Sequence, residues 1–223
     1  MNSNEGTTTA SRPDASRRMS SEERREQIVL AAIAVFGAKG YVGTTTDDVA
    51  RAASVSQPYV VRLFGTKENL FLEALQSSLD RLLDSFRAVP PVPHVTPEEL
   101  AAAPDDLHER GVAMGQAYLR LLRVRGLHQL LSQAFLLGGH PVIGPRAREG
   151  FARVWHYLRR EAGFSTDEAR KFLASGMLIN TMIGLRMIEG YGDDPALTEL
   201  FDECFPLSIQ LVLDSAPRAD EPW

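Results

Sequence analysis

The run Gln57-Pro58-Tyr59-Val60-Val61-Arg62-Leu63-Phe64 mixes residues fit for a core with residues fit for a polyanion. On a helix, Val60 and Phe64 share a face, because they are four positions apart. Gln57, Tyr59 and Arg62 are then left on the outer side. The Arg62 guanidinium fork matches the O6/N7 edge of guanine and serves a phosphate equally well, and Gln57 matches the edge of adenine. Thr45, Thr46 and Lys67 stand at helix starts, where free backbone N–H groups attract phosphate as well as capping side chains. With Ser56 and Pro58 at the start of the outward-facing helix, these residues form a candidate contact set for double-stranded DNA.

Three short helices must hold that set. Ser20 and Glu23 have capping-box spacing, and Ile28, Ala32, Val35 and Phe36 then recur on one face. Gly40 supplies a left-handed stop, and Lys39 suits the negative end of the helix dipole. A second helix starts at Thr45 or Thr46, with Asp47 and Asp48 in its first turn and Val49, Ala50 and Ala53 inward. Ala53-Ser54-Val55 turns into the third helix. Ser56 or Gln57 caps it, and Pro58 is tolerated only in its first turn. Gly65 breaks the chain, Thr66 caps again, and a fourth helix runs from Lys67 to about Arg87.

The stretch AVFGAKGYVGTTTDDVARAASVSQPYVVRLFGTKENLF resembles the TetR family of transcriptional regulators in order, spacing and small-residue positions. The resemblance covers about fifty residues. It implies an all-helical homodimer whose body holds a ligand pocket, and a promoter repressed until a small molecule binds. It also implies phosphate-contacting aromatics where this chain has Val61 and Leu63. Phosphate anchoring is therefore expected to shift to Tyr59, Thr45, Thr46 and Lys67.

Charge is unevenly spread. Residues 17–70 hold eight basic and six acidic side chains, and residues 71–223 hold fifteen and twenty-one. A mildly basic head on an acidic body is expected if only the head meets phosphate. The small basic excess places affinity on a few contacts and on dimerisation, and the acidic body argues against a polyanionic ligand. A chain of 223 residues that is 44% hydrophobic can bury a sizeable core. The lone Cys204 excludes an internal disulfide and fits a reducing cytoplasm. No run of eighteen apolar residues predicts a membrane span.

Downstream, VPPVPHVTPEEL reads as a loop that no helix crosses. Further helices are expected at about 104–123, 125–137, 145–162, 165–189 and 195–215. Phe151, Val154, Trp155 and Leu158 are expected inward in the seventh, and Pro206 should kink the ninth. The eighth is apolar on two sides, Phe172, Ile179 and Ile183 against Leu173, Met177 and Gly184. One side therefore calls for a partner chain. A homodimer through the eighth and ninth helices is the expectation, with Gly176 and Gly184 allowing close approach. Met114, Tyr118, His128, Gln133, Trp155, Met177 and Asn180 are candidate ligand-binding residues, although each is individually as suited to a core or an interface.

The five histidines show no metal-ligand spacing with one another or with Cys204. No phosphate loop, nucleophile elbow or paired-carboxylate pattern is present, so neither enzyme chemistry nor a cofactor is expected. The expected all-α organisation is a disordered arm (1–19), a helix-turn-helix head (20–66), a ligand-binding and dimerisation body (67–216) and a tail (217–223). The expected function is a cytoplasmic repressor released from a palindromic operator by an unknown small molecule. The competing reading is a ligand-binding or scaffolding protein whose head no longer reads DNA.

Overall fold

The computed structural model describes residues 19–90 and 104–218, with side chains from residue 108 in the second stretch. The arm, the proline-rich link beyond Pro90 and the last five residues lie outside the described residues. Within them the fold is all-α. The head comprises α1 (Ser21–Gly43), α2 (Thr46–Ala52) and α3 (Gln57–Phe64), and α4 (Lys67–Arg87) leads into the body. The body continues with α5 (Pro104–Arg120), α6 (Leu127–Leu136), α7 (Ile143–Arg160), α8 (Thr166–Gly184), α9 (Pro195–Cys204) and α10 (Ile209–Ser215).

The local start signals act as their chemistry predicts. Ser20 and Glu23 form a reciprocal capping box, with Glu23 Oε2 accepting from the Ser20 N–H at 2.6 Å. Thr45 with Asp48 and Ser165 with Glu168 do the same for α2 and α8. Gly40 interrupts α1 with φ 70°, beyond which the chain makes one more turn. Thr66 caps α4 by accepting from the Asn69 N–H.

By length and mean hydropathy α1 could cross a membrane. Its apolar residues are instead spent on the core. Ile28, Ala32, Ile33 and Phe36 are fully buried, and α1 packs on α4 and α6. One continuous core runs from these residues through Phe71, Leu75 and Leu83 to Leu130 and Tyr157, without a gap at 66/67. A second cluster around Phe201, Phe205, Ile183 and Leu122 closes the C-terminal end.

Backbones approach closely where α1 meets α6. A Cβ on Gly37 would lie 2.5 Å from the Gly126 carbonyl oxygen, and one on Gly126 would lie 2.5 Å from the Ile33 carbonyl oxygen. Gly126 also has φ 80°, a conformation other residues resist. Nearby, His140 in the α6–α7 turn accepts from the Val142 and Ile143 N–H groups through Nδ1. Its ring lies 5.4 Å from that of Tyr41, and its Nε2 is 3.7 Å from Glu68. Head and body therefore meet through α4, through the α1–α6 contact and through His140.

Four expectations need correction. The helix predicted at 165–189 ends at Gly184, because Arg186 turns left-handed (φ 54°) and a 3-10 turn, Met187–Gly190, follows. Pro206 does not kink one long helix but separates two. A residue before proline is pushed out of the helical region, and Phe205 sits at φ −131°, ψ 45° with its ring buried. The seventh helix starts at Ile143, which leaves Pro145 in the first turn, where it breaks no hydrogen bond. Phe151, expected inward, is 40% exposed rather than in the core; its ring meets Phe135 edge-on, and both rings line the body cavity.

Candidate DNA-reading face and body cavity

The α2–α3 unit is fixed from inside. Gln27 Nε2 donates to the Ala53 carbonyl at 3.1 Å, which ties α1 to the turn. Ser54 adopts φ 54° there, and Val60 and Phe64 anchor α3 in the core. Lys39 donates to Asp48 at 2.7 Å and Arg51 does so at 2.9 Å. The Lys39 bond, followed by the bonds from Thr45, holds the Asp48 carboxyl far below the usual carboxylate range.

Of the DNA-contact candidates, Ser56 at the head of α3 and Pro58 and Arg62 on its outer side are exposed. Gln57 is half-buried, and its Nε2 donates to Thr46 Oγ1 at 3.2 Å. Tyr59 is also half-buried, beneath the Arg62 guanidinium, which stands 4.9 Å from its ring centre. The outer face is therefore Pro58, Val61, Arg62 and Gly65, rather than Gln57, Tyr59 and Arg62. Val61, at 38% exposure, and Gly65 are the members that sequence reasoning missed. The signal was available: if 60 and 64 point in, then 58, 61, 62 and 65 point out. Leu63 packs against the core.

The threonines and Lys67 already have partners. Thr45 accepts from the Asp48 N–H and donates to Asp48 Oδ2 at 2.8 Å. Lys67 Nζ donates to the Tyr41 carbonyl at 3.0 Å and sits 4.6 Å above the Tyr41 ring. Ser56 heads α3 without a side-chain capping bond, so its hydroxyl is not spent there.

In the body, a cavity of about 760 Å³ lies between α5 and α8, walled also by α4, α6, α7 and the segment 203–208. Three ligand candidates line it: Tyr118, Met177 and Asn180. Tyr118 donates its phenol proton to Asn180 Oδ1 at 2.6 Å, and burial holds that phenol well above the usual range. The other four lie elsewhere. Met114 is fully buried in the core, and Trp155 packs half-buried against the core away from the cavity wall. Gln133 turns its amide toward the head, where a Cβ on Gly40 would meet Oε1 at 2.9 Å. His128 is fully buried with its ring 4.5 Å from that of Tyr118. Burial pushes its pKa down to about 4, against a backbone hydrogen bond to Tyr118, and its Nε2 has no hydrogen-bond partner among the described residues. Leu79, Leu82 and Phe86 of α4 and Phe172 of α8 supply much of the apolar wall. They show in sequence only as helical core positions. Among the described residues no cluster could hold a metal ion.

Comparison with known proteins places this geometry. Residues 28–74 match the profile of the tetR family of bacterial regulatory proteins. The chain is 37% identical over 70 residues to the HTH-type transcriptional activator FasR of Mycolicibacterium smegmatis, covering 31% of this chain and 32% of that protein. It is 41% identical over 59 residues to the HTH-type transcriptional regulator HbdR of Aromatoleum sp., covering 26% of each. The matches thus span about a third or less of these relatives. Over a larger extent only the fold is shared. A TetR-like transcriptional regulator from Rhodococcus sp. RHA1 superposes with TM-score 0.57 at 18% identity, over 75% of this chain and 87% of that one. A tetR-family regulator from Streptomyces coelicolor does so with TM-score 0.52 at 20% identity, over 92% and 94%.

Proposed function

We propose, from a chain that belongs to the tetR family of bacterial regulatory proteins through its residues 28–74, that the protein is a homodimeric, operator-binding transcriptional regulator whose DNA affinity is set by a small molecule in the body. The observation that carries this reading is α3. Its inner residues Val60 and Phe64 are buried, while Pro58, Val61 and Arg62 stand exposed on a rigid three-helix frame. Such a helix fits a major groove. Arg62 would read guanine or hold a phosphate, and Val61 would meet a thymine methyl. Ser56, Gln57 and Tyr59 border this face, and Thr45, Thr46 and Lys67 would contact phosphate from helix starts while keeping their capping and Tyr41 bonds.

Dimerisation is supported by α8. Ala174, Met177, Leu178 and Thr181 are exposed at helical spacing, and Leu185 just past the helix end is 68% exposed. An apolar stripe of this length calls for a cover, and a second copy would supply it together with α9. Repression is the sense proposed for the regulation. A ligand would favour a state with the heads misplaced for successive grooves, and it would release DNA by its differential affinity for the two states. The route for that coupling is α4, which touches the cavity at Leu79, Leu82 and Phe86, braced by the α1–α6 contact. The proposed division is a DNA-binding head over 20–66 and a regulatory body over 67–216.

The test is selection of random duplexes by the purified full chain at physiological salt. Enrichment of a palindrome with half-sites about one helical turn apart, or somewhat more, is expected. A folded dimer that enriches nothing would contradict the reading and favour a scaffolding role.

A further inference from the structure

The walls of the body cavity differ sharply in polarity, and two of its glycines have no packing reason to be glycine. Most of the lining is apolar. Of its ionisable members, His108, Lys171 and Glu203 are exposed and Glu168 is half-buried at the start of α8. The deep polar groups are neutral: the hydrogen-bonded pair of Tyr118 on α5 and Asn180 on α8, and the buried Ser208. Because the Asn180 oxygen accepts from Tyr118, the amide N–H2 group is the donor left for an occupant. A charged ligand group at that depth would find no partner charge, which is costly. An uncharged acceptor such as a carbonyl would satisfy the amide.

One turn before each member of the pair stands a cavity-lining glycine, Gly115 before Tyr118 and Gly176 before Asn180. Glycine weakens a helix interior relative to alanine. At Gly37 and Gly126 close backbone approach requires it, but a Cβ at Gly115 or Gly176 would meet nothing within 4 Å. Gly176 also lies on the Asn180 side of α8, away from Ala174, Leu178 and Thr181 of the exposed stripe, whereas Met177 borders both. A role in helix–helix approach at the proposed dimer face does not account for it. Further along the same walls come Gly111, Phe164 and Phe172, and then His108, Glu168 and Lys171. The passage therefore runs from the Tyr118–Asn180 pair, between the two glycines, to an ionisable rim.

We infer that this cavity takes an elongated, uncharged, mainly apolar molecule with one hydrogen-bond acceptor held at Asn180, and that Gly115 and Gly176 determine how much of its chain fits. The volume lies within the roughly 300–1,000 Å³ of small-molecule sites. The inference deepens the proposed regulatory site and rests on that reading for its biological sense, but its test does not depend on DNA.

The test uses methyl esters of straight-chain fatty acids of increasing length, titrated calorimetrically into the full-length protein. Affinity is expected to rise about fourfold per added methylene and then to level off. Gly115→Leu and Gly176→Leu should level off at shorter chains with an unchanged or higher melting temperature, since both replacements favour the helix. Asn180→Leu should weaken every ester about tenfold and leave the methylene increment unchanged. A wild-type protein that binds none of the esters overturns the inference, as does a limit unmoved in both glycine variants. Esters that bind with the expected pattern but leave DNA in place support it, and they contradict ligand release instead.

Discussion

Arg62 and His128 are the two residues whose surroundings make the sharpest demands. Arg62 stacks on Tyr59 and reaches outward. Arg62→Ala should weaken binding to a selected site by about 1–3 kcal/mol and relax one base preference if the guanidinium reads a base. Equal loss on all duplexes, measured by fluorescence anisotropy, would assign it to phosphate. His128 is neutral in the fold, with a pKa lowered to about 4 by burial. An unfolded histidine titrates near ~6.5. Between these values the unfolded chain binds a proton that the folded chain refuses. Stability should therefore be fully present above pH ~6.5 and fall as the pH drops toward 4, by about 3 kcal/mol over the window. Denaturant unfolding of His128→Leu should lack that slope, and an unchanged slope would assign it to other groups.

At the scale of elements, the legible parts of the fold were those set by neighbours in sequence. The capping pairs Ser20–Glu23 and Ser165–Glu168 and the cap Thr66 lie within a turn of their partners, so their spacing alone carries the geometry. Helix four was legible end to end for the same reason, with its apolar period between two breaks. What escaped depends on partners far along the chain. Gln133 faces Gly40 of the head, Met114 lies in the shared core, and Phe151 opens onto the body cavity beside Phe135. The cavity exists because α5 and α8 stand apart, which no local pattern encodes. The α1–α6 contact is another such feature. Gly126→Ala would place a Cβ against the α1 backbone at a positive φ, and should cost about 2–4 kcal/mol. Thermal unfolding checks it, and a neutral variant would mean that α1 and α6 separate freely, which removes one proposed brace between head and body.

For the whole molecule, reading a palindrome needs two heads presented together. The exposed stripe on α8 is the proposed cover for a second copy, with Leu178 43% exposed at its centre. Leu178→Glu should convert the dimer to a monomer in sedimentation equilibrium, because like charges would face each other across the two-fold axis. The head's own residues are untouched by that change, so residual binding should be weak and non-specific. The charge distribution supports the same division of labour, with a head of net positive charge carried on an acidic body. Sequence reading by α3 is decided by the affinity of the purified protein for a selected duplex and for its scrambled counterpart across a salt series. Both affinities should fall as salt rises, since each phosphate contact releases counterions, while the preference for the selected duplex persists. Loss of both affinities in step, with no preference at any salt, would contradict the assignment of α3 as a sequence-reading helix.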